Sequence, residues 1–206
     1  MLSQLDWIFF DVGSTLVNEE KAYEHRMRDI AETAKVPYET AYETALNFYH
    51  ENKKGDLELA KLYGIEKPKW YKEDEELYPD TISCLEQLSR HYKIGVIANQ
   101  SLGTAKRLEE KGIRRYIDLV VASAEEGVAK PDPRIFEIAL ERSKCRPERA
   151  VMIGDRIDND IVPAKAMGMH TIWIRQGFGK YWKITEEAEK PEFCVDTLTE
   201  LVRLFK

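Results

Sequence analysis

The chain is poor in the features that mark several classes of protein. No apolar stretch among its 206 residues approaches the length of a bilayer crossing. The N-terminus lacks the charged flank and small-residue cleavage site of a signal peptide. Cysteine is scarce: Cys84, Cys145 and Cys194 are odd in number, far apart and free of CxxC spacing. That pattern excludes a disulfide frame or cysteine zinc site and fits the reduced thiols of a cytoplasmic protein. His25, His50, His91 and His170 likewise lack metal-ligand spacing. Basic residues do not cluster beyond the pairs Lys53-Lys54 and Arg114-Arg115, and the net charge is −6. A chain of this charge is not built to track nucleic-acid phosphates. No membrane and no nucleic-acid partner is therefore expected, and the oligomeric state is left open.

What is present is ordinary globular material, 43% hydrophobic and 33% charged, enough for one full core with a modest insertion. The organising stretch is LDWIFFDVGSTLV, residues 5–17. Trp7-Ile8-Phe9-Phe10 reads as a strand buried on both faces, running into Asp11 and a small turn, Gly13-Ser14-Thr15. A carboxylate at the C-terminal end of such a strand stands where open α/β sheets place ligands. From residue 18 to 78 the pattern turns helical. Ala22, Met27, Ile30, Ala31 and Ala34 recur at three- and four-residue spacing, and Val36-Pro37 breaks the helix. A second helix carries Ala41, Tyr42, Ala45, Phe48 and Tyr49 on its apolar face, and a third starts at Gly55-Asp56, runs through Leu57, Ala60 and Leu62 and is stopped by Gly64.

Beyond residue 79, strand and helix alternate. Strands are expected over 93–98, 119–123, 150–153 and 170–175, with a short edge strand at 193–195. Helices are expected over 80–88, from a cap at Ser101 or Thr104 to Gly112, over 133–144 and over 160–167. Thr197-Leu198-Thr199-Glu200 has the form of a capping box opening a last helix. This alternation predicts an α/β fold, a three-layer, doubly wound, Rossmann-like parallel sheet. Residues 1–17 and 79–206 form its core domain, and 18–78 form an inserted all-helical domain.

Asp11, Asn99 and the pair Asp155/Asp160 stand at strand ends, and Lys130 lies in the loop Val128-Ala129-Lys130-Pro131-Asp132-Pro133. In the order DVGST, a strand ending near Asn99, AKPDPRIF and IGDRIDND, the chain resembles the haloacid dehalogenase-like (HAD) superfamily along nearly its whole length. The insertion resembles that superfamily's helical cap. The resemblance implies a phosphatase acting on a small phosphorylated metabolite. Asp11 would attack phosphorus and form an aspartyl-phosphate. Magnesium and Lys130 would offset the charge of carboxylate meeting phosphate. Asp11, the Gly13 backbone carbonyl, Asp155 and Asp160 match the metal site, and oxygen ligands suit magnesium rather than zinc. Asn99, Gln100 and Lys130 are the candidates for contact with phosphate.

The sequence departs from that pattern twice. The phosphatases carry a second aspartate two residues after the nucleophile, and Gly13 stands there. The missing carboxyl is the general acid and base, a role worth about 10²–10⁴-fold in rate. A site that binds metal and phosphate but hydrolyses slowly is expected. Ala98 replaces a phosphate-binding hydroxyl, a loss of about 1.5–3 kcal/mol in binding. The alternative is a catalytically impaired relative that binds a phosphorylated ligand or protein partner. A weaker one is a phosphonatase-like hydrolase using a cap lysine, Lys53, Lys54 or Lys61. Arg26, Arg28, Trp70 and Tyr71 are candidates for substrate contacts from the insertion.

Overall fold

A computed structural model of the chain describes residues 4–205. The main sheet has six strands: β1 (Trp7–Phe10), β4 (Lys93–Ala98), β5 (Leu119–Ala122), β6 (Ala150–Gly154), β7 (His170–Ile174) and β8 (Phe193–Val195). All pair in parallel in the order β5-β4-β1-β6-β7-β8. In β1, Trp7 stands opposite Lys93 on one side and Ala150 on the other, and Phe10 opposite Val96 and Ile153.

The period of two explains why these runs became strands. Ile8 and Phe10 of β1, Ile94 and Val96 of β4 and Val151 and Ile153 of β6 all face one layer. Cys84, Leu85 and Leu88 of α4 (Thr81–Leu88) and Leu201 of α9 (Leu198–Arg203) cover that layer. Phe9, Ile97 and Met152 point the opposite way, onto Ile135, Phe136 and Ala139 of α7 (Pro133–Ser143). Each fully buried phenylalanine contributes about 1.5–3 kcal/mol relative to exposure. The result is the three-layer, doubly wound α/β architecture expected.

From β1 the chain moves outward through β4 to β5, then returns to the other side of β1 for β6, β7 and β8. The C-terminal end of β1 is thus the topological switch point, where open α/β sheets form their ligand crevice.

Three helices, α1 (Glu20–Ala34), α2 (Tyr38–His50) and α3 (Gly55–Leu62), stand between two short strands, β2 (Val17–Asn18) and β3 (Glu76–Leu77). Those strands pair antiparallel, Val17 opposite Leu77, and tie the entry of the insertion to its exit. The helices enclose an apolar cluster of their own, centred on Met27, Ile30, Ala45, Tyr49 and Leu59. No described helix is long and apolar enough to cross a membrane.

Several local expectations are corrected. Neither Ser101 nor Thr104 caps α5 (Thr104–Glu110): Gly103, at φ 83°, precedes it, and the Glu125 carboxylate accepts from the N–H groups of Gly103 and Thr104. Ser123 opens a short helix, α6 (Ser123–Glu126), rather than ending a strand. The helix expected from Asp160 starts as a wide turn at Ile157–Ile161 and becomes regular only in α8 (Val162–Ala166). Thr197 does cap α9, but the Glu200 carboxylate returns to the Asp196 N–H, so the box is not closed on one residue.

Candidate active site

Three strand-to-loop transitions converge at the switch point. Asp11 follows β1, Asn99 follows β4, and Asp155 and Asp160 follow β6. Lys130 arrives from the loop between α6 and α7. That loop is held by the Asn99 side-chain amide, which donates to the Lys130 carbonyl at 2.8 Å and accepts from its N–H at 2.7 Å. At the other end Asp132 caps α7 by accepting from the Arg134 N–H at 2.9 Å, with Pro133 in the first turn.

The Lys130 ammonium bridges two carboxylates, donating to Asp11 Oδ1 and Asp160 Oδ1 at 2.6 Å each. Burial by itself would lower the affinity of this amine for its proton. The two carboxylates outweigh burial and raise it. The second oxygen of Asp160 accepts from the Arg156 N–H at 3.0 Å, so both oxygens of that residue are engaged.

Asp155 is different. It is only 5% exposed, and among the described residues none donates a hydrogen bond to its carboxylate or pairs with it as a cation within 4 Å. Burial, then Asp160 and Asp11, push its carboxyl well above the usual carboxylate range. Burial pushes Asp160 up as well, to about 6, against the opposing pull of Lys130.

One oxygen of each of Asp11, Asp155 and Asp160 lies within 4.8 Å of the others. An all-oxygen set with a buried carboxylate that lacks a protein cation fits a hard divalent ion such as magnesium, which keeps much of its hydration and takes few protein carboxylates. Asp155 has both oxygens free to hold it, and Asp11 Oδ1, which accepts one hydrogen bond from Lys130, keeps a lone pair for it. Asp160, already bonded at both oxygens, suits a role in orienting Lys130 and metal-bound water.

A cavity of about 160 Å³ is lined by Asp11, Gly13, Lys130, Asp155 and Asp160, together with Asn99 and Gln100. It adjoins a larger one of about 390 Å³ whose walls include Arg26, Lys54 and Trp70 from the insertion. Asn99 and Gln100 reach the first cavity, and part of their hydrogen-bonding capacity is used inside the protein. The Asn99 amide is bound to the lysine loop, and the Gln100 N–H is given to the Ser123 hydroxyl at 3.1 Å. Ser101 lines only the larger cavity, where its hydroxyl accepts from Lys72.

Of the four insertion residues singled out, Arg26 and Trp70 line the larger cavity, the guanidinium 4.5 Å above the indole. Arg28 instead lies over Tyr38 and pairs with Glu24, and the Tyr71 hydroxyl is held by Asp29. Lys53 and Lys61 pair with Glu51 and Glu58. Lys54 faces the cavity, and burial with Arg156 nearby lowers its proton affinity.

Sequence reasoning missed three contributors. Arg156 and Asn159, in the loop after β6, line the small cavity. The glycine-rich turn after β7, residues 176–179, does more than end the sheet. In fact it comes back over the site. A side chain at Gly179 would come within 2.7 Å of Asp155 Oδ2, and Phe178 stacks on Tyr49 of α2 at 4.4 Å. The third is Glu19, a buried acid at the start of α1 that lines both cavities. It does not cap that helix; the Ser14 hydroxyl donates to its Oε2 at 3.1 Å. Burial, then Asp11 and Glu75, push its carboxyl up to about 8. No spacing rule links it to Asp11, and an acid opening a helix is expected from the dipole alone.

A parallel sheet whose switch point gathers carboxylates around one buried lysine is that of an α/β enzyme equipped to handle anionic charge. The comparisons make the class specific. Residues 5–168 match the family model of the haloacid dehalogenase-like hydrolases. The chain is 32% identical over 225 residues to the glyceraldehyde 3-phosphate phosphatase of Pyrococcus furiosus, covering 97% of this chain and 91% of that protein. It is 36% identical over 129 residues to the pyrimidine 5'-nucleotidase YjjG of Escherichia coli K12, 61% of this chain and 55% of that one. Among solved structures, a HAD phosphatase from Thermococcus onnurineus superposes with a TM-score of 0.66 at 25% identity, covering 98% of both chains. The chain belongs to the haloacid dehalogenase-like hydrolase family.

Proposed function

We propose that this hydrolase is a magnesium-dependent phosphatase that removes the phosphoryl group from a small phosphorylated metabolite through an aspartyl-phosphate on Asp11. The observation that carries the reading is the bridge from Lys130 to Asp11 and Asp160, with the unpaired Asp155 carboxylate alongside. The phosphatase and nucleotidase names of its relatives support the same class of ester.

Magnesium held by Asp11, the Gly13 carbonyl and Asp155, when bound, would neutralise phosphoryl oxygens and orient them. The chain's own residues do the rest. Lys130 holds Asp11 in one orientation by a charge-assisted hydrogen bond and presents positive charge where phosphate arrives. Asp11 Oδ2, the oxygen not bonded to Lys130, is the one free to attack. Asp160 fixes the lysine from behind. The helical insertion, residues 18–78, acts as the cap domain that excludes water and selects the substrate, with Arg26, Lys54 and Trp70 facing the organic part. The cavity volumes suit a metabolite rather than a protein segment.

The test is phosphate release from p-nitrophenyl phosphate with and without magnesium, for the wild type and Asp11→Asn. Loss of a covalent nucleophile lowers turnover on the order of 10⁴–10⁶-fold. An Asp11→Asn protein that keeps the wild-type rate, or a wild type indifferent to EDTA, sinks the reading. A second reading, cleavage of a carbon–phosphorus bond through a Schiff base, has one observation in its favour, the lowered proton affinity of Lys54 facing the cavity. Borohydride trapping of a Lys54 adduct with an aldehyde phosphonate would decide for it.

A further inference from the structure

We infer that Glu19, six residues beyond the turn at Gly13, supplies the proton-transferring carboxyl that position 13 lacks.

The geometry begins at Gly13. A side chain built there would place its first carbon 2.7 Å from both the carboxyl carbon and Oε2 of Glu19. The volume that a second aspartate would fill is therefore already filled by a carboxyl arriving from α1. Gly13 is what lets it in. Glu19 reaches this place by turning away from the helix it begins, since its side chain makes no cap bond. The Ser14 hydroxyl holds it there, and among the described residues no cation pairs with it within 4 Å.

Its position relative to the two cavities defines the role. The small cavity is walled by Asp11, Lys130 and Asp155 and suits a phosphoryl group. The larger one suits the organic remainder. The oxygen joining the two parts of a phosphate ester must lie at the seam between the cavities. The residues lining both are Glu19, Tyr23, Asn99, Gln100 and Arg156, and Glu19 is the carboxyl among them. A carboxyl at that seam is placed to serve the leaving oxygen, not the phosphoryl oxygens.

The inference rests on the aspartyl-phosphate reading above. In the first step Asp11 Oδ2 forms a bond to phosphorus. The bond from phosphorus to the leaving oxygen breaks with its electron pair staying on that oxygen, and the Glu19 proton moves to it, releasing the alcohol. In the second step a water oxygen bonds to phosphorus while Glu19 takes one of its protons. The bond from phosphorus to Asp11 breaks, returning the carboxylate and releasing inorganic phosphate. Glu19 ends protonated, as it began.

The test compares Glu19→Gln with the wild type on p-nitrophenyl phosphate, whose leaving group needs little protonation, and on benzyl phosphate, similar in size but with a poor leaving group. The expected kcat/KM falls by about 10²–10³-fold on benzyl phosphate and by less than about 10-fold on p-nitrophenyl phosphate. On the latter, Glu19→Gln should release a burst of nitrophenol equal to the number of sites, then turn over slowly, because the second step has lost its base. Magnesium affinity by calorimetry should stay unchanged. Equal losses on both esters without a burst overturn the inference, as does a tenfold weaker affinity for magnesium, which would make Glu19 a metal ligand. The double variant Gly13→Asp/Glu19→Ala moves the carboxyl back to position 13. Recovery of benzyl phosphate turnover above Glu19→Ala supports the role even if Glu19→Gln folds poorly, and no recovery counts against it. Asp11→Asn separates the levels. If it is inactive while Glu19→Gln behaves as wild type, only this inference fails. If Asp11→Asn is active, or the wild type is inert toward both esters, the underlying reading fails with it.

Discussion

The two sides of the small cavity are built from the same residue type and behave in opposite ways. On one side Asp11 and Asp160 share the Lys130 ammonium, and their charge is compensated inside the protein. On the other, Asp155 and Glu19 are just as enclosed but have no cation among the described residues. The compensated side is finished when the chain folds. On the function proposed above, the uncompensated side is completed from outside, by a metal ion at Asp155 and a proton on Glu19. Burying a carboxylate without a partner costs several kcal/mol, so such a side persists where function requires it.

This contrast predicts substitutions of opposite sign. The largest effect belongs to Lys130→Met, which leaves Asp11 and Asp160 facing each other without a cation. Breaking a buried pair in this way costs about 3–5 kcal/mol of stability. Urea unfolding at neutral pH with EDTA reads it, and a loss below about 1 kcal/mol would mean that the lysine does not hold the site together.

Next comes Asp155→Asn, where the expected change is a gain. Removing a buried carboxylate that no protein cation pairs with should raise metal-free stability by about 1–3 kcal/mol, the cost of leaving a buried polar group unpaired. The same variant should lose the rise in melting temperature that magnesium gives the wild type, because a ligand stabilises only the state that binds it. A variant that melts lower than the wild type in EDTA, yet still responds to magnesium, would dissolve the distinction between the two sides.

The metal-free protein should also depend on pH. The carboxyls of Asp155 and Asp160 both bind protons more tightly when folded, Asp160 up to about 6 from an ordinary 3.8. A raised carboxyl contributes stability that is complete below its unfolded value and is lost as pH rises through the folded one. In EDTA, melting temperature should therefore carry a component that declines as pH rises from about 4 through about 6, and Glu19, pushed up to about 8, extends the decline toward that value. Magnesium should flatten it, and Asp155→Asn should reduce it. Exposed carboxylates held low by neighbours, such as Glu51 beside Lys53, act in the opposite direction, but solvent screening keeps them small. A difference curve between wild type and variant that is flat in EDTA would contradict the assignment.

The insertion and the sheet also differ in how openly the sequence spoke for them. The strands were legible because a residue buried on a sheet has only two faces. Trp7-Ile8-Phe9-Phe10 is a continuous apolar run because both faces of the sheet are covered, Ile8 and Phe10 on one side and Phe9 on the other. The helices of the insertion showed their own period equally well. Local ends were less legible. Gly103, not a hydroxyl residue, starts α5 because Glu125, twenty-two residues later, satisfies the first N–H groups. The two-residue strands Val17–Asn18 and Glu76–Leu77 carry no pattern of their own, and only their pairing makes them strands.

Asp11, Lys130, Asp155 and Asp160 were candidates because each stands at a strand end or loop position whose geometry the local sequence dictates, and their order narrowed the family. The chain by itself therefore determined the sheet, the charge-bearing tips of its strands and the gap at Gly13. Whether that gap is empty was decided elsewhere. Its occupant, Glu19, belongs to a helix whose direction depends on how the insertion packs, and Gly179 approaches Asp155 only because Phe178 is anchored on Tyr49. A local pattern records what each residue can bury and which turn it can make. Which carboxyl shares a few cubic ångströms with which backbone is settled by close packing between segments far apart in the chain, and that was left to the tertiary structure.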